Sequence, residues 1–237
     1  VVGTFVLIIG YFFAFALADN MSLSLPNEFL PTSTVAVSEN KELPTIILDS
    51  GHGGMDGGCV AYNGVAEKGI NLNIMLDLKI MLETFGYNVI VTRDSDVSIH
   101  DEDITGLSNQ KKSDMAKRLD IFNSSKNSIA ISIHQNQFTD SRYSGAQMFY
   151  SQTNPKSEIL ATTMQKAFVD NLQPNNEREI KISGKELYLI YFCKSPSIMI
   201  ECGFLSNPEE ANKLQTEEYQ QEVAFTIFKG INDYCGV

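Results

Sequence analysis

The sequence predicts an α/β domain: a single open sheet of about six strands, mostly parallel or mixed, with helices on both faces. Two observations carry this. Short β-rich apolar runs alternate with helical patterns of ten or more residues, the pattern of a sheet covered on both sides. Four residues of catalytic type, His52, Arg93, His134 and Glu201, each follow the C-terminal end of a predicted strand. Open α/β sheets bind their ligands outside those ends. The chain has 237 residues, 43% hydrophobic and 20% charged, which fits one globular domain with a short appendage.

The elements follow in order. Thr45-Ile46-Ile47-Leu48 reads as a strand running into the loop Asp49-Ser50-Gly51-His52-Gly53-Gly54. From 67 to 85 the apolar residues Ile70, Ile74, Leu78, Met81 and Phe85 recur at steps of four and three, a helix with one buried stripe. Gly86 is placed to close it. Residues 87–91 form a second strand, and 94–108 a polar loop. A helix over 109–122 turns Met115, Leu119 and Phe122 inward, with Ser108 as its N-cap. Strands are expected at 129–133, 145–150, 187–192 and 197–200, a helix at 157–172, and a last helical region from Pro208 to Cys235.

The ends differ in character. Residues 1–18 carry no charge and read as a signal peptide or membrane anchor, with Ala16-Leu17-Ala18 in the small-x-small form of a cleavage site. Residues 19–44 hold three of the seven prolines and six Ser or Thr, the composition of a flexible linker. The folded, catalytic domain is expected over 45–237. Export follows from this reading, with the membrane touched only through the N-terminal segment. The net charge of −11 disfavours nucleic acid as a partner, because phosphate binding needs a basic face. Cys59, Cys193, Cys202 and Cys235 show no CxxC spacing, so a structural zinc knuckle is disfavoured and mostly buried thiols are expected.

His52 and His134 are two of only three histidines, both at strand ends. Catalytic zinc typically takes three protein ligands and keeps one position open, so an acid should complete the set. Asp49, Asp56 and Glu67 all lie near that edge, and spacing does not choose among them. The blander readings are a loop histidine at 52 and a satisfied core histidine at 134. His100 sits among acids in the polar loop and is expected to be solvated. Glu201 ends a buried-type strand, where a carboxylate is costly unless paired or functional. An ion pair with Arg93 or a lysine is the competing explanation.

Taken together, these residues resemble the zinc-dependent N-acetylmuramoyl-L-alanine amidases of type 3. The resemblance rests on residues 46–54 with Asp56-Gly57-Gly58, on Glu67 fifteen residues after His52, and on Val91-Thr92-Arg93. It rests also on Ser132-Ile133-His134 with Asn136, and on the run from Ile200-Glu201-Cys202-Gly203 to Asn207. It implies Zn2+ held by His52, Glu67 and His134, with Glu201 as the catalytic carboxylate. It implies peptidoglycan as substrate, cleaved at the amide between the lactyl group of N-acetylmuramic acid and L-alanine. Arg93 and Asn136 become substrate-binding or structural residues: Arg93 for a substrate carboxylate or as a brace paired with Asp49 or another acid, Asn136 to orient His134 or to donate to the oxyanion. Gln135, Gln137 and Cys202 depart from the small or apolar residues common in the family. The single domain and export segment look most like the spore-cortex, germination-specific branch, which implies an extracytoplasmic or membrane-anchored location such as the forespore intermembrane space. Rival readings are a zinc peptidase or deacetylase of the wall, a thiol hydrolase using Cys202 or Cys59 with His134, and a wall-binding module that is inactive or needs an activating protein partner.

Overall fold

The computed structural model describes residues 42–237. The expected export segment and nearly all of the linker lie outside the described residues. Six strands form one sheet: β1 (Thr45–Ser50), β2 (Val89–Val91), β3 (Ser128–Asn136), β4 (Gln147–Tyr150), β5 (Lys181–Ile182) and β6 (Ser197–Phe204). Their spatial order is β2-β1-β3-β6-β4-β5. The first four in that order run parallel; β4 is antiparallel to β6, and β5 parallel to β4. The sheet is therefore mixed. The C-terminal ends of β1, β2, β3 and β6 share one edge.

The two faces are filled by alternation, since successive side chains on a strand point to opposite sides. One face carries Ile46, Leu48, Ile129, Ile131, Ile133, Met148, Ile198, Ile200 and Cys202 in a large core. Three helices cover it: α1 (Glu67–Phe85), α3 (Lys156–Asn171) and α6 (Glu217–Cys235). The other face has a smaller core of Ile47 and Ala130 against Phe122, Leu189 and Cys193. Its cover is α2 (Leu107–Phe122) and the short α4 (Tyr188–Phe192). The remaining helix, α5 (Pro208–Leu214), follows β6.

Most expected elements form, with several corrections. The run 187–192 is helix rather than strand: a short apolar run reads either way, and here Leu189 and Ile190 are buried on one side while Tyr188 and Phe192 stay exposed. Strand β5 has two exposed residues and left no hydrophobic signal. The last helical region breaks at Gln215 and Thr216, and Thr216 caps α6 by accepting from the Tyr219 amide. Gly106, not Ser108, is the N-cap of α2. In α1 the buried stripe ends on Leu82, while Phe85 is 49% exposed and stacks on Tyr87. Gly86 closes α1 in the left-handed region at φ 105°, as anticipated.

Candidate metal centre

The chain leaves β1 through Gly51 and His52. His52 has φ +65°, a left-handed conformation that a non-glycine residue adopts only when its surroundings hold it there. Two glycines make room. A Cβ on Gly51 would stand 2.2 Å from the His134 ring, and one on Gly58 2.5 Å from Glu67 Oε2. The loop is thus threaded between the groups it serves.

His52, Glu67 and His134 converge from β1, α1 and β3, with one donor atom from each within 4.8 Å of the others. His52 Nε2 lies 3.2 Å from Glu67 Oε2, and His134 Nδ1 lies 2.9 Å from Glu67 Oε1. The Cys59 and Gln135 backbone amides also donate to the Glu67 carboxylate, and Asn71 Nδ2 donates to it at 3.0 Å. Burial opposes ionisation of Glu67, but the two imidazoles outweigh it and hold the carboxyl far below the usual range. Burial likewise opposes protonation of His134, but Glu67 prevails and raises it to about 9. Asp56 faces His52 Nδ1 at 3.0 Å and accepts from Lys111 Nζ at 2.9 Å, so it orients the ring from behind. Burial pushes Asp56 up, yet Lys111 and His52 bring it down to about 2.

Glu201 stands beside this cluster, opposite His134 in the parallel ladder of β3 and β6. The ladder slips between His134 and Asn136, a bulge of the kind common at active sites. Burial pushes the Glu201 carboxyl up to about 7; Glu67 adds to that, while His134 and His52 oppose it. Its Oε2 is buried with no hydrogen-bond partner among the described residues. It makes no ion pair with Arg93. An unpartnered carboxylate oxygen next to a donor set of two histidines and a glutamate is what a metal and a polar reactant would satisfy, so the residues fit a zinc-type site.

The bracing differs from expectation. Arg93 does not meet Asp49. It donates to the carbonyls of Ser50, Ser95, Gly51 and Lys68 at 2.9 to 3.0 Å, which leaves it spent inside the fold. The partner of Asp49 is Arg118 on α2, at 2.6 Å, joined by Thr92 at 2.7 Å and Ser132 at 2.6 Å. Burial would raise Asp49, but Arg118 holds it below the usual range. Arg118 also donates to Asp114, to the Ser50 carbonyl and to the His52 carbonyl. Sequence reasoning missed Arg118. The signal was there: it lies three residues after Met115 on the inward face of α2, with Asp114 one turn before it.

Other expectations resolve as follows. Asn136 ends β3, and His134 Nδ1 faces Glu67 Oε1 at 2.9 Å. His100 is half-buried rather than solvated, bonded to Ser98 Oγ at 2.9 Å. Gln135 is buried and donates to Asn71 Oδ1 at 3.2 Å; Gln137 donates to the Val60 carbonyl. Cys202 lies in the large core on the far face, and burial drives its thiol and that of Cys59 far up, which speaks against either as a nucleophile.

Residues 46–233 match the family of N-acetylmuramoyl-L-alanine amidases. The chain belongs to that family. It is 38% identical over 189 residues to the germination-specific N-acetylmuramoyl-L-alanine amidase of Bacillus subtilis (strain 168), covering 80% of this chain and 78% of the relative. The CwlD amidase of Clostridioides difficile, solved in complex with the GerS lipoprotein, superposes with a TM-score of 0.78 at 37% identity, over 81% of this chain and 98% of that one. The catalytic domain of CwlV from Bacillus (Paenibacillus) polymyxa var. colistinus gives 0.69 at 26% identity, over 82% and 99%. Among amidases of this family, the resemblance to the spore-cortex branch is the one these relatives support. Among the described residues no helix is long and apolar enough to cross a membrane.

Proposed function

We propose that this amidase hydrolyses the bond between the lactyl carbonyl of N-acetylmuramic acid and L-alanine in spore-cortex peptidoglycan, with zinc held by His52, Glu67 and His134. The observation that carries the reading is Glu201: a buried carboxyl near neutrality, with one unpartnered oxygen, set against a donor cluster of two histidines and a glutamate. When bound, zinc supplies Lewis acidity, polarising an amide carbonyl and making water easier to deprotonate.

The chain's own residues do the rest. Glu201 takes a proton from water as the water oxygen joins the carbonyl carbon, then returns it to the nitrogen as the C–N bond breaks. The products are the lactyl carboxylate and the free amine of L-alanine. In the metal-free chain burial raises this carboxyl to about 7, and the same burial favours its alternating between the two protonation states during the reaction. Asp56 and Lys111 keep the His52 ring turned toward Glu67; Asp49 and Arg118 hold the loop that carries it. Arg93 serves as a brace through backbone carbonyls. Asn136, at the end of β3, remains a candidate donor to the oxyanion. Because its substrate lies outside the cytoplasm, the enzyme acts extracytoplasmically, and the cortex role places it in the forespore intermembrane space. A protein partner belongs to this reading, since the similar clostridial amidase was solved bound to a lipoprotein.

The test is zinc content of the purified protein together with release of L-alanine amino termini from isolated peptidoglycan, before and after chelation. Stoichiometric zinc and a release that chelation abolishes are expected. Release of acetate or of other amino acids would move the assignment to a deacetylase or peptidase, and activity without metal would overturn it.

A further inference from the structure

Arg178 is unlike the other arginines. Arg93 and Arg118 are spent inside the fold, and Arg142 pairs with Asp140. Arg178 is half-buried, yet among the described residues no carboxylate oxygen lies within 4.0 Å of it. Its Nε donates to the Ser144 carbonyl at 2.8 Å and its Nη1 to Gln147 Oε1 at 2.8 Å. The guanidinium lies over the Phe204 ring, 4.5 Å from the centroid, with Tyr143 at 5.6 Å. The acid that acts on it through space, Glu210, has each oxygen engaged by a backbone amide, from Gly145 and from Phe204. A rigidly held cation with Nη2 unused therefore lines a cavity of about 810 Å³, in a chain of net charge −11.

The place of this cation matters more than its isolation. Gln147, which holds it, sits directly opposite Glu201 in the antiparallel ladder of β4 and β6. Directly opposed residues carry their side chains on the same face, about 5 Å apart at Cβ. One side chain thus separates the guanidinium from the carboxylate assigned to proton transfer. The substrate supplies the matching charge on one side only. On the glycan side the lactyl carboxyl is consumed in the amide, so the carboxylates belong to the peptide. The one nearest the scissile bond is the free α-carboxylate of a γ-linked glutamate following L-alanine.

We propose that Arg178, held by Gln147, Ser144 and the Phe204 ring, binds that peptide carboxylate. The peptide then runs over β4 and β5, and the sugar lies on the other flank of Glu201, toward the cavity of about 210 Å³ bordered by Tyr188 and Met115. A planar guanidinium with a free edge is the donor that carboxylate recognition uses. The proposal rests on the amidase reading, and its test separates the two.

Two disaccharide-tripeptides, identical except for a carboxylate or a carboxamide at the glutamate position, are compared as substrates. The wild type is expected to show a KM about 10- to 100-fold lower for the carboxylate form, the range of a charge-assisted hydrogen bond. Arg178→Ala should raise KM for that form to the carboxamide level with kcat within about twofold, and Arg178→Lys should recover part of the loss. Calorimetry with the free tripeptides reads the same preference without turnover. A wild type that treats the two forms alike in binding and in KM overturns the proposal without needing any variant. So does an Arg178→Ala penalty equal on both forms. Failure to release L-alanine termini from either substrate counts against the amidase reading instead, and the tripeptide calorimetry still decides this one.

Discussion

The two faces of the sheet are built on different principles. On the face under α1, α3 and α6, the inward residues of β1, β3 and β6 are aliphatic or small until Gln135 near the end of β3, and nearly all are fully buried. On the face under α2 and α4, the same strands carry Ile47 and Ala130 as their apolar residues and turn polar toward their C-terminal ends, with Asp49, Ser132, His134 and Glu201. The first face is held by burial, which is non-directional and tolerant of repacking. The second is held by hydrogen bonds and charge, which depend on each partner being present. Stability and chemistry are therefore divided between faces of one sheet, except that Glu67 reaches the site from the first turn of α1 on the apolar face. Damage to the first should cost fold alone, and damage to the second should cost function first.

The sharpest probe of that division is Glu201→Gln. It keeps shape on the polar face and removes the proton acceptor, so kcat should fall about 10²- to 10⁴-fold while zinc content and melting temperature stay near wild type. Full activity in this variant would remove Glu201 from the mechanism. Next comes a matched pair. Arg118→Ala leaves Asp49 buried without its charge partner and should cost about 3–5 kcal/mol of stability, with zinc affinity falling as well because Arg118 holds the His52 carbonyl. Ile131→Ala, fully buried on the apolar face, should cost about 2–5 kcal/mol and leave zinc affinity of the folded protein unchanged. Denaturant titration beside zinc competition tells the two apart, and equal zinc loss in both would dissolve the contrast.

Asp56→Asn is milder. The fold should survive, and zinc affinity should weaken by about 10- to 100-fold, the usual effect of losing the carboxylate behind a ligand histidine. The smallest effect is a pH dependence. His134 is raised to about 9 in the metal-free chain from an ordinary 6.5. Through this group the metal-free protein has extra stability below pH 6.5 that is lost as the pH rises to about 9. Zinc needs the neutral imidazole, so its affinity runs the other way, weakening about tenfold per unit as the pH falls below about 9. Proton release on zinc addition at pH 7.5, followed with a pH indicator, checks the sign.

Much of this molecule is legible in its sequence because the deciding interactions are local. Alternation and helical stripes follow from side-chain geometry within a few residues, and they yield the sheet, its helices and the strand ends on which His52, His134 and Glu201 fall. The third donor is different: spacing left Asp49, Asp56 and Glu67 open, and the family resemblance pointed to Glu67. The structure gives each a distinct place, Glu67 facing both imidazoles, Asp56 behind His52, and Asp49 locked to Arg118. Contacts such as Asp49 with Arg118, sixty-nine residues apart, are settled by which helix lands on which face. The same holds for α4, whose apolar run has no local preference between strand and helix until Leu189 meets Phe122 and Cys193 in the smaller core. Local sequence thus determined which residues reach the sheet edge. Tertiary packing decided which of them face one another, because charge pairing and desolvation act between segments that only the closed fold brings together.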